Sequence, residues 1–205
     1  LEFVTTTGER RESIFNQIEA GRRRLFSLDQ LPGSSIAEDT PISVRVSGLA
    51  GGPAIAAQYT AASSIGGGGA LVAPFAATSQ IFTDASFSED AGFSEIISVF
   101  NPNTAAADVT FTVLFDDGTT FGYRTTAPAE RRAEFDLNNT SESSILAIRN
   151  KIDADPDRFG TFSVIVDTQT PTPMPVTASL TRVDTEAGRR FTVTPTILGG
   201  LTPLG

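Results

Sequence analysis

Residues 93–137 read FSEIISVFNPNTAAADVTFTVLFDDGTTFGYRTTAPAERRAEFDL. Val109, Phe111, Val113 and Phe115 fall on one side of an extended chain, with Thr110 and Thr112 on the other. A period of two built from β-branched and aromatic residues marks a strand with one face in a core. Asp116-Asp117-Gly118 then predicts a tight turn, because Gly and Asp adopt positive φ at low cost.

Working outward, a second strand runs through Phe121 and Tyr123, and Ala127-Pro128-Ala129-Glu130 makes a further turn. Phe135 and Leu137 alternate with Glu134 and Asp136 in another strand. On the N-terminal side, Asn101-Pro102-Asn103 closes a strand over Ile96–Phe100, since Asn-Pro favours turn initiation.

Parts of this stretch return in altered form. Gly8 matches Gly118, and Ala20–Asp29 matches Ala129–Asn138. Ile42, Val44 and Val46 echo Phe162, Val164 and Val166. Pro53-Ala54-Ile55-Ala56 echoes Pro175-Val176-Thr177-Ala178, and Val72-Ala73-Pro74 echoes Val193-Thr194-Pro195. The offsets, in chain order, are 110, 109, 120, 122 and 121. They are nearly constant apart from one step, which predicts a duplication with an insertion in the second copy. By this alignment Ser13–Ile18 is a strand, although Glu9–Ala20 is rich in helix formers.

The insertion is Ser141–Asp157. Ser141 is a candidate N-cap, and Ile145, Ile148 and Ile152 sit at helical spacing. A short helix near residues 142–152 is expected to cap the sandwich, ended by Asp153–Asp157. The first copy has only a loop there, Pro32–Thr40. Ser63–Gly69 (SSIGGGG) reads as a flexible loop; it lacks the Gly-Lys-Ser/Thr ending of a phosphate loop. The second copy carries about seven strands, including Phe162–Val166, Val176–Leu180 and Phe191–Thr194, with a Pro-rich turn at Thr168–Pro175 and another at Asp184–Gly188. The first copy has no counterpart of Phe93–Phe100. Three sources for the missing strand compete: a chain cut within a domain, the connector Ala76–Ser88, or donation by another subunit. The tail Thr196–Gly205 is a candidate donor, weakened by Pro203 and adjacent glycines.

The chain has 205 residues, 40% hydrophobic, with 15 Phe to fill a core. It contains no apolar run of membrane-spanning length. It begins at Leu1, which predicts a processed product or a fragment. Its net charge of −9 argues against nucleic acid and anionic membranes as partners. Histidine and cysteine are both absent, which removes disulfides, thiolate metal sites, cysteine nucleophiles and the commonest general base.

Taken together, the alternating strand, Asn-Pro, Asp-Gly, Pro turn and the run FSVIVDTQTPTPMPVTASLTRVD resemble immunoglobulin-like β-sandwich tandem repeat modules of bacterial cell-surface and secreted structural proteins. The resemblance implies an extracellular or cell-surface location and a scaffold role. It carries over no catalytic residue.

Three acids at alternate positions, Asp153, Asp155 and Asp157, are the candidate metal ligands, and calcium is the cation such oxygens suit. The loop lacks an EF-hand's glycine and distant glutamate. Asp116, Asp117, Glu89 and Asp90 read as turn formers. Glu9 with Arg10 and Arg11, Glu130 with Arg131 and Arg132, and Arg22–Arg24 read as solvated charge. Lys151 is the single lysine, so an intramolecular isopeptide bond is open only to the second copy. The absence of Trp, with two Tyr, leaves few sugar-stacking platforms.

The expected fold is therefore all-β: two tandem antiparallel immunoglobulin-like β-sandwich domains, 1–80 and 81–205, with a short helix inserted in the second. The expected function is a non-enzymatic structural or assembly protein that associates with itself or with neighbouring repeats. The alternative is a non-catalytic glycan- or calcium-binding module of a larger secreted protein.

Overall fold

The computed structural model describes residues 2–5, 10–12, 42–45, 58–63, 66–71, 75–88, 93–168, 172–184, 189–199 and 202–203. The chain forms two compact units, Leu1–Ile55 with Gly205, and Ala56–Leu204. The boundary expected at 80/81 falls inside a strand, β7 below. Ser13–Ile18, Arg22–Arg24, Pro32–Thr40, Glu89 and Asp90 lie outside the described residues.

In the first unit, β1 (Glu2–Thr5), β2 (Arg10–Glu12) and β3 (Ile42–Arg45) form an antiparallel sheet in the order β2-β1-β3. The second unit opens with a hairpin of β4 (Gln58–Ser63) and β5 (Gly66–Leu71), then β6 (Phe75–Ala76), β7 (Ser79–Ser86) and β8 (Phe93–Phe100). It continues with β9 (Ala107–Leu114), β10 (Thr120–Ala127), β11 (Arg132–Asp136), α1 (Ser143–Ala154) and α2 (Pro156–Phe159). It closes with β12 (Thr161–Thr168), β13 (Thr177–Asp184), β14 (Arg189–Val193), β15 (Thr196–Gly199) and β16 (Thr202–Pro203).

Two antiparallel sheets face each other in this unit, β10-β9-β12-β7-β15 and β11-β8-β13-β14. The sandwich thus has nine strands where the sequence suggested about seven. The additions are β7 and β15. The connector Ala76–Ser88, one of the three sources weighed for the first copy's missing strand, is built into this sandwich as β7. It pairs with β12 on one side and β15 on the other. The tail Thr196–Gly205 likewise starts as β15 of its own sheet.

The glycine run corrects a further expectation. Gly66–Leu71 is a strand paired along its length with β4, from Gln58↔Leu71 to Ser63↔Gly66. Strand preference reflects neighbours more than intrinsic backbone bias, and pairing here outweighs the cost of ordering glycine.

The offsets read from the sequence recur in strand pairing. Phe3 stands opposite Arg11 on one side and Val44 on the other. Val113 stands opposite Phe121 and Val164. A shift of 110 for β1 and β2, and of 120 for β3, turns the first set into the second. Likewise Gln58↔Leu71 becomes Leu180↔Val193 with a shift of 122, and those two residues pair in β13–β14. That is one residue from the 121 read from Val72-Ala73-Pro74. The described part of the first unit is this three-stranded sheet.

The core follows the alternation that predicted it. Val109, Phe111 and Val113 are buried on β9, Phe162, Val164 and Val166 on β12, Ile97 and Val99 on β8, and Ala178 and Leu180 on β13. Phe111 stacks on Phe135 with ring centres 5.3 Å apart, joining the two sheets. On α1, Ile145, Ile148 and Ile152 are buried, as their spacing predicted. Its N-cap is Glu142, and the Ser141 hydroxyl instead donates to Asn139 Oδ1 at 2.5 Å. α1 ends at Ala154, within the Asp153–Asp157 stretch expected to end it, and Pro156 then opens α2, which buries Phe159 against Phe115, ring centres 5.6 Å apart. Proline suits a first helical turn because its missing N–H has no intrahelical partner there.

The opposite end of the sandwich is held by Asn101, which is fully buried. Its Nδ2 donates to the carbonyls of Ala105 (2.8 Å), Ala127 (2.9 Å) and Pro128 (3.2 Å). Its Oδ1 accepts from Asn103 N (3.0 Å) and Asn103 Nδ2 (2.7 Å), and Asn103 Nδ2 reaches Pro175 O at 2.9 Å. Three loops meet at this pair of amides.

Two substitutions separate the contributions. Phe111→Ala is expected to cost about 3–5 kcal/mol through lost burial and a residual cavity. Asn101→Ala leaves buried carbonyls without donors and is expected to cost about 3 kcal/mol. Urea unfolding measures both; a loss under about 1 kcal/mol for Asn101→Ala would show that water replaces its amide.

Candidate functional site

The helical end of the sandwich gathers Asp116, Asp117, Lys151, Asp153, Asp155 and Asp157 from among the charged residues singled out in the sequence. The β9–β10 turn is closed by Gly118 at φ +80°, a left-handed conformation that glycine adopts without Cβ strain. Asp117 Oδ1 accepts from Thr119 N at 2.9 Å, and Asp117 Oδ2 from Lys151 Nζ at 2.5 Å. Lys151 Nζ also lies 3.9 Å from the centre of the Phe159 ring, a cation–π contact. Arg158 Nε is 3.4 Å from Asp116 Oδ1. So Asp116 and Asp117 do more than form the turn: they dock α1 and α2 on it.

The hydrogen bond from Lys151, helped by Thr119, holds the Asp117 carboxyl well below the usual carboxylate range. A carboxylate kept charged beside an ammonium is an ion pair.

The three acids proposed for calcium lie on the same segment. Asp153 is in the last turn of α1, Asp155 links the helices, and Asp157 is in the first turn of α2. Asp155 caps α2, its Oδ1 accepting from Arg158 N at 3.3 Å. All three are exposed, and among the described residues no three acidic side chains group as a cation site.

Glu95 was not among the candidates read from the sequence. It occupies an inward position of β8, in step with Ile97 and Val99, and is 5% exposed. Its Oε2 accepts from Ser86 N at 2.6 Å, and its Oε1 from Ser86 Oγ at 3.4 Å. Arg182, its cross-strand partner on β13, donates through Nε to the same Oε1. The guanidinium continues to Asp84 O at 2.9 Å and Ser86 Oγ at 3.2 Å. Burial raises the Glu95 carboxyl above its ordinary value, while Ser86 and Arg182 pull it back. The alternation in FSEIISVF was the available signal: it places Glu95 inward, where a partner is obligatory. Arg182 could not be matched to it without knowing that β8 and β13 are neighbours.

Chemically, these groups bind strands together. Both Glu95 oxygens are engaged within the protein, and the chain supplies neither histidine nor cysteine to work with Ser86. The two sheets, the docked helices and the internal cluster define an all-β sandwich protein.

No model of a known protein family matches the chain, and no curated sequence matches it. Two solved structures are similar. One is a protein described as Thermotoga maritima 1070, with 14% identity and a TM-score of 0.43, over 61% of this chain and 97% of that one. The other is the Anabaena sensory rhodopsin transducer, with 18% identity and a TM-score of 0.36, over 50% of this chain and 92% of that one.

The two carboxylates have opposite pH signatures. Asp117 is depressed when folded, so its stabilisation is present above its ordinary value of 3.8 and is lost as pH falls below it. Glu95 is raised when folded, so its contribution is fullest below its ordinary value of 4.5 and is lost as pH rises through the folded value. Melting temperature against pH is expected to show a slightly shallower acid-side fall in Asp117→Asn and a shallower decline above pH 4.5 in Glu95→Gln. Parallel curves for all three proteins would contradict both assignments.

Proposed function

We propose that the protein is a non-catalytic structural building block, an extracellular or cell-surface component that associates with copies of itself or with neighbouring repeats. The observation that carries this reading is the match in register between β2-β1-β3 and β10-β9-β12, which supports a duplication. Repeated modules that share a pairing pattern are suited to stacking and extension. The interior supports the same reading. Among the described residues, three of the five buried polar side chains, Asn101, Gln80 and Glu95, hold strands and loops in place. The immunoglobulin-like character of the two copies belongs to this proposal.

Sedimentation across a wide range of protein concentration, with electron microscopy of the native material, tests it. Concentration-dependent association into ordered assemblies is the expected result. A chain that stays monomeric throughout, with no native assembly containing it, would overturn the reading.

A further inference from the structure

The loop joining β11 to α1 contains Asn138-Asn139-Thr140-Ser141, which holds two overlapping Asn-x-Ser/Thr tripeptides, Asn138–Thr140 and Asn139–Ser141. Such a tripeptide is the acceptor for N-linked glycans, and a folded chain can use it where the asparagine stands on a surface loop. All four residues are exposed. Leu137 before them and Ile145 after them are buried and anchor the two ends of the loop. A bulky group on either asparagine therefore displaces nothing from the core.

The two asparagines are held differently. Asn138 Nδ2 donates to Asp136 Oδ1 at 2.9 Å, and the same oxygen accepts from Asn138 N at 2.9 Å. The nitrogen that would carry a glycan is thus engaged within its own turn. Asn139 is bound through its oxygen instead: Ser141 Oγ donates to Asn139 Oδ1 at 2.5 Å. Its Nδ2 has no partner among the described residues. The hydroxyl at the third position of this tripeptide therefore already sits on the acceptor amide. An amide nitrogen is a weak nucleophile because its lone pair is delocalised onto the carbonyl oxygen. It becomes reactive on losing a proton, which puts negative charge on that oxygen. A hydroxyl donor in place on the oxygen stabilises the developing charge.

We propose that Asn139 is a glycan acceptor, modified by a transferase that uses a lipid-diphosphate-linked oligosaccharide as donor. Asn139 Nδ2 forms a bond to the anomeric carbon of the first sugar. The bond from that carbon to the diphosphate oxygen breaks, and the diphosphate leaves with the electron pair. The proton from Nδ2 passes to a base of the transferase. The proposal rests on the extracellular reading, because this modification belongs to exported chains. The glycan would stand at the helical end of the sandwich, beside the start of α1, and add a hydrophilic, solubilising group there.

The overlap of the two tripeptides lets single substitutions tell them apart. Folded full-length protein is incubated with a lipid-diphosphate-linked oligosaccharide and an oligosaccharyl transferase that recognises Asn-x-Ser/Thr, and its intact mass is recorded. A single added glycan is expected on the unsubstituted chain and on Thr140→Ala, which removes only the Asn138 tripeptide. Several-fold less transfer is expected on Ser141→Ala and on Asn139→Gln, which remove only the Asn139 tripeptide. No transfer to the unsubstituted chain, or transfer that survives Ser141→Ala and falls in Thr140→Ala, overturns the assignment. The mass of the protein recovered from its native source separates the proposal from the reading it rests on. A secreted or surface-bound chain at its unmodified mass overturns the glycan and leaves the location standing. A chain confined to the cell interior overturns the location, and the glycan with it.

Discussion

The hydrogen bond from Gln80 Nε2 to Val176 O, 2.8 Å long, ties the strand on which the sandwich depends to the opposite sheet. Gln80 is buried, and its Oε1 accepts from Ala178 N at 3.3 Å. At the far end of the same strand, Ser86 meets Glu95 of β8. β7 is therefore laddered within its own sheet and stapled to the other at both ends. Each bond contributes only about 1 kcal/mol net. The architectural consequence is larger, because β15 has β7 as its sole ladder neighbour and β12 would become an edge without it. Buried amides and carboxylates are costly when unpaired, so this arrangement also disfavours any other seating of β7.

That strand was also the hardest to read from sequence. The buried residues in and just after it are Gln80, Phe82, Ala85 and Phe87. The step from 82 to 85 breaks the period of two, and a register shift against β12 between Phe162 and Val164 is the cause. One inward position is polar. Neither feature is visible without the partner strand. By contrast, β9 carries four inward residues in unbroken alternation, and α1 carries three isoleucines at helical spacing; both were legible because local geometry alone decides them. Asn101 was read as a turn former, which is true locally. Its donors reach Ala127 and Pro128, and those contacts exist only after the sandwich closes. Asp153, Asp155 and Asp157 failed to gather for a related reason. Alternate spacing aligns side chains on a strand, whereas here the helix boundary at Asp155 spreads them.

The two ion pairs at the helical end have different physical characters. Lys151–Asp117 sits near water, where such pairs contribute little individually. Its value lies in geometry, since it fixes the helix on the β9–β10 turn beside the Phe159 ring. Glu95–Arg182 is largely enclosed, and desolvation offsets much of its attraction. A pair of this kind is better understood as selecting one arrangement: any slip of β13 against β8 would move Arg182 out of reach and leave Glu95 buried without its cation.

The same logic applies to the two stretches whose strand registers match. The offset between copies is 110 through β9 and β10, 120 at β12 and 122 at the β13–β14 hairpin. Each change falls in a connection: first at the segment carrying α1 and α2, then at the β12–β13 loop. Within the strands the partners stay matched residue for residue. A one-residue slip would turn every buried side chain of β9 or β12 to the opposite face, at a cost of a whole core. Added loop length costs only the slowly growing entropy of closure. Strand register is thus what the two stretches share, while the residues at matched positions differ, as Phe3 and Val113 or Arg11 and Phe121 illustrate.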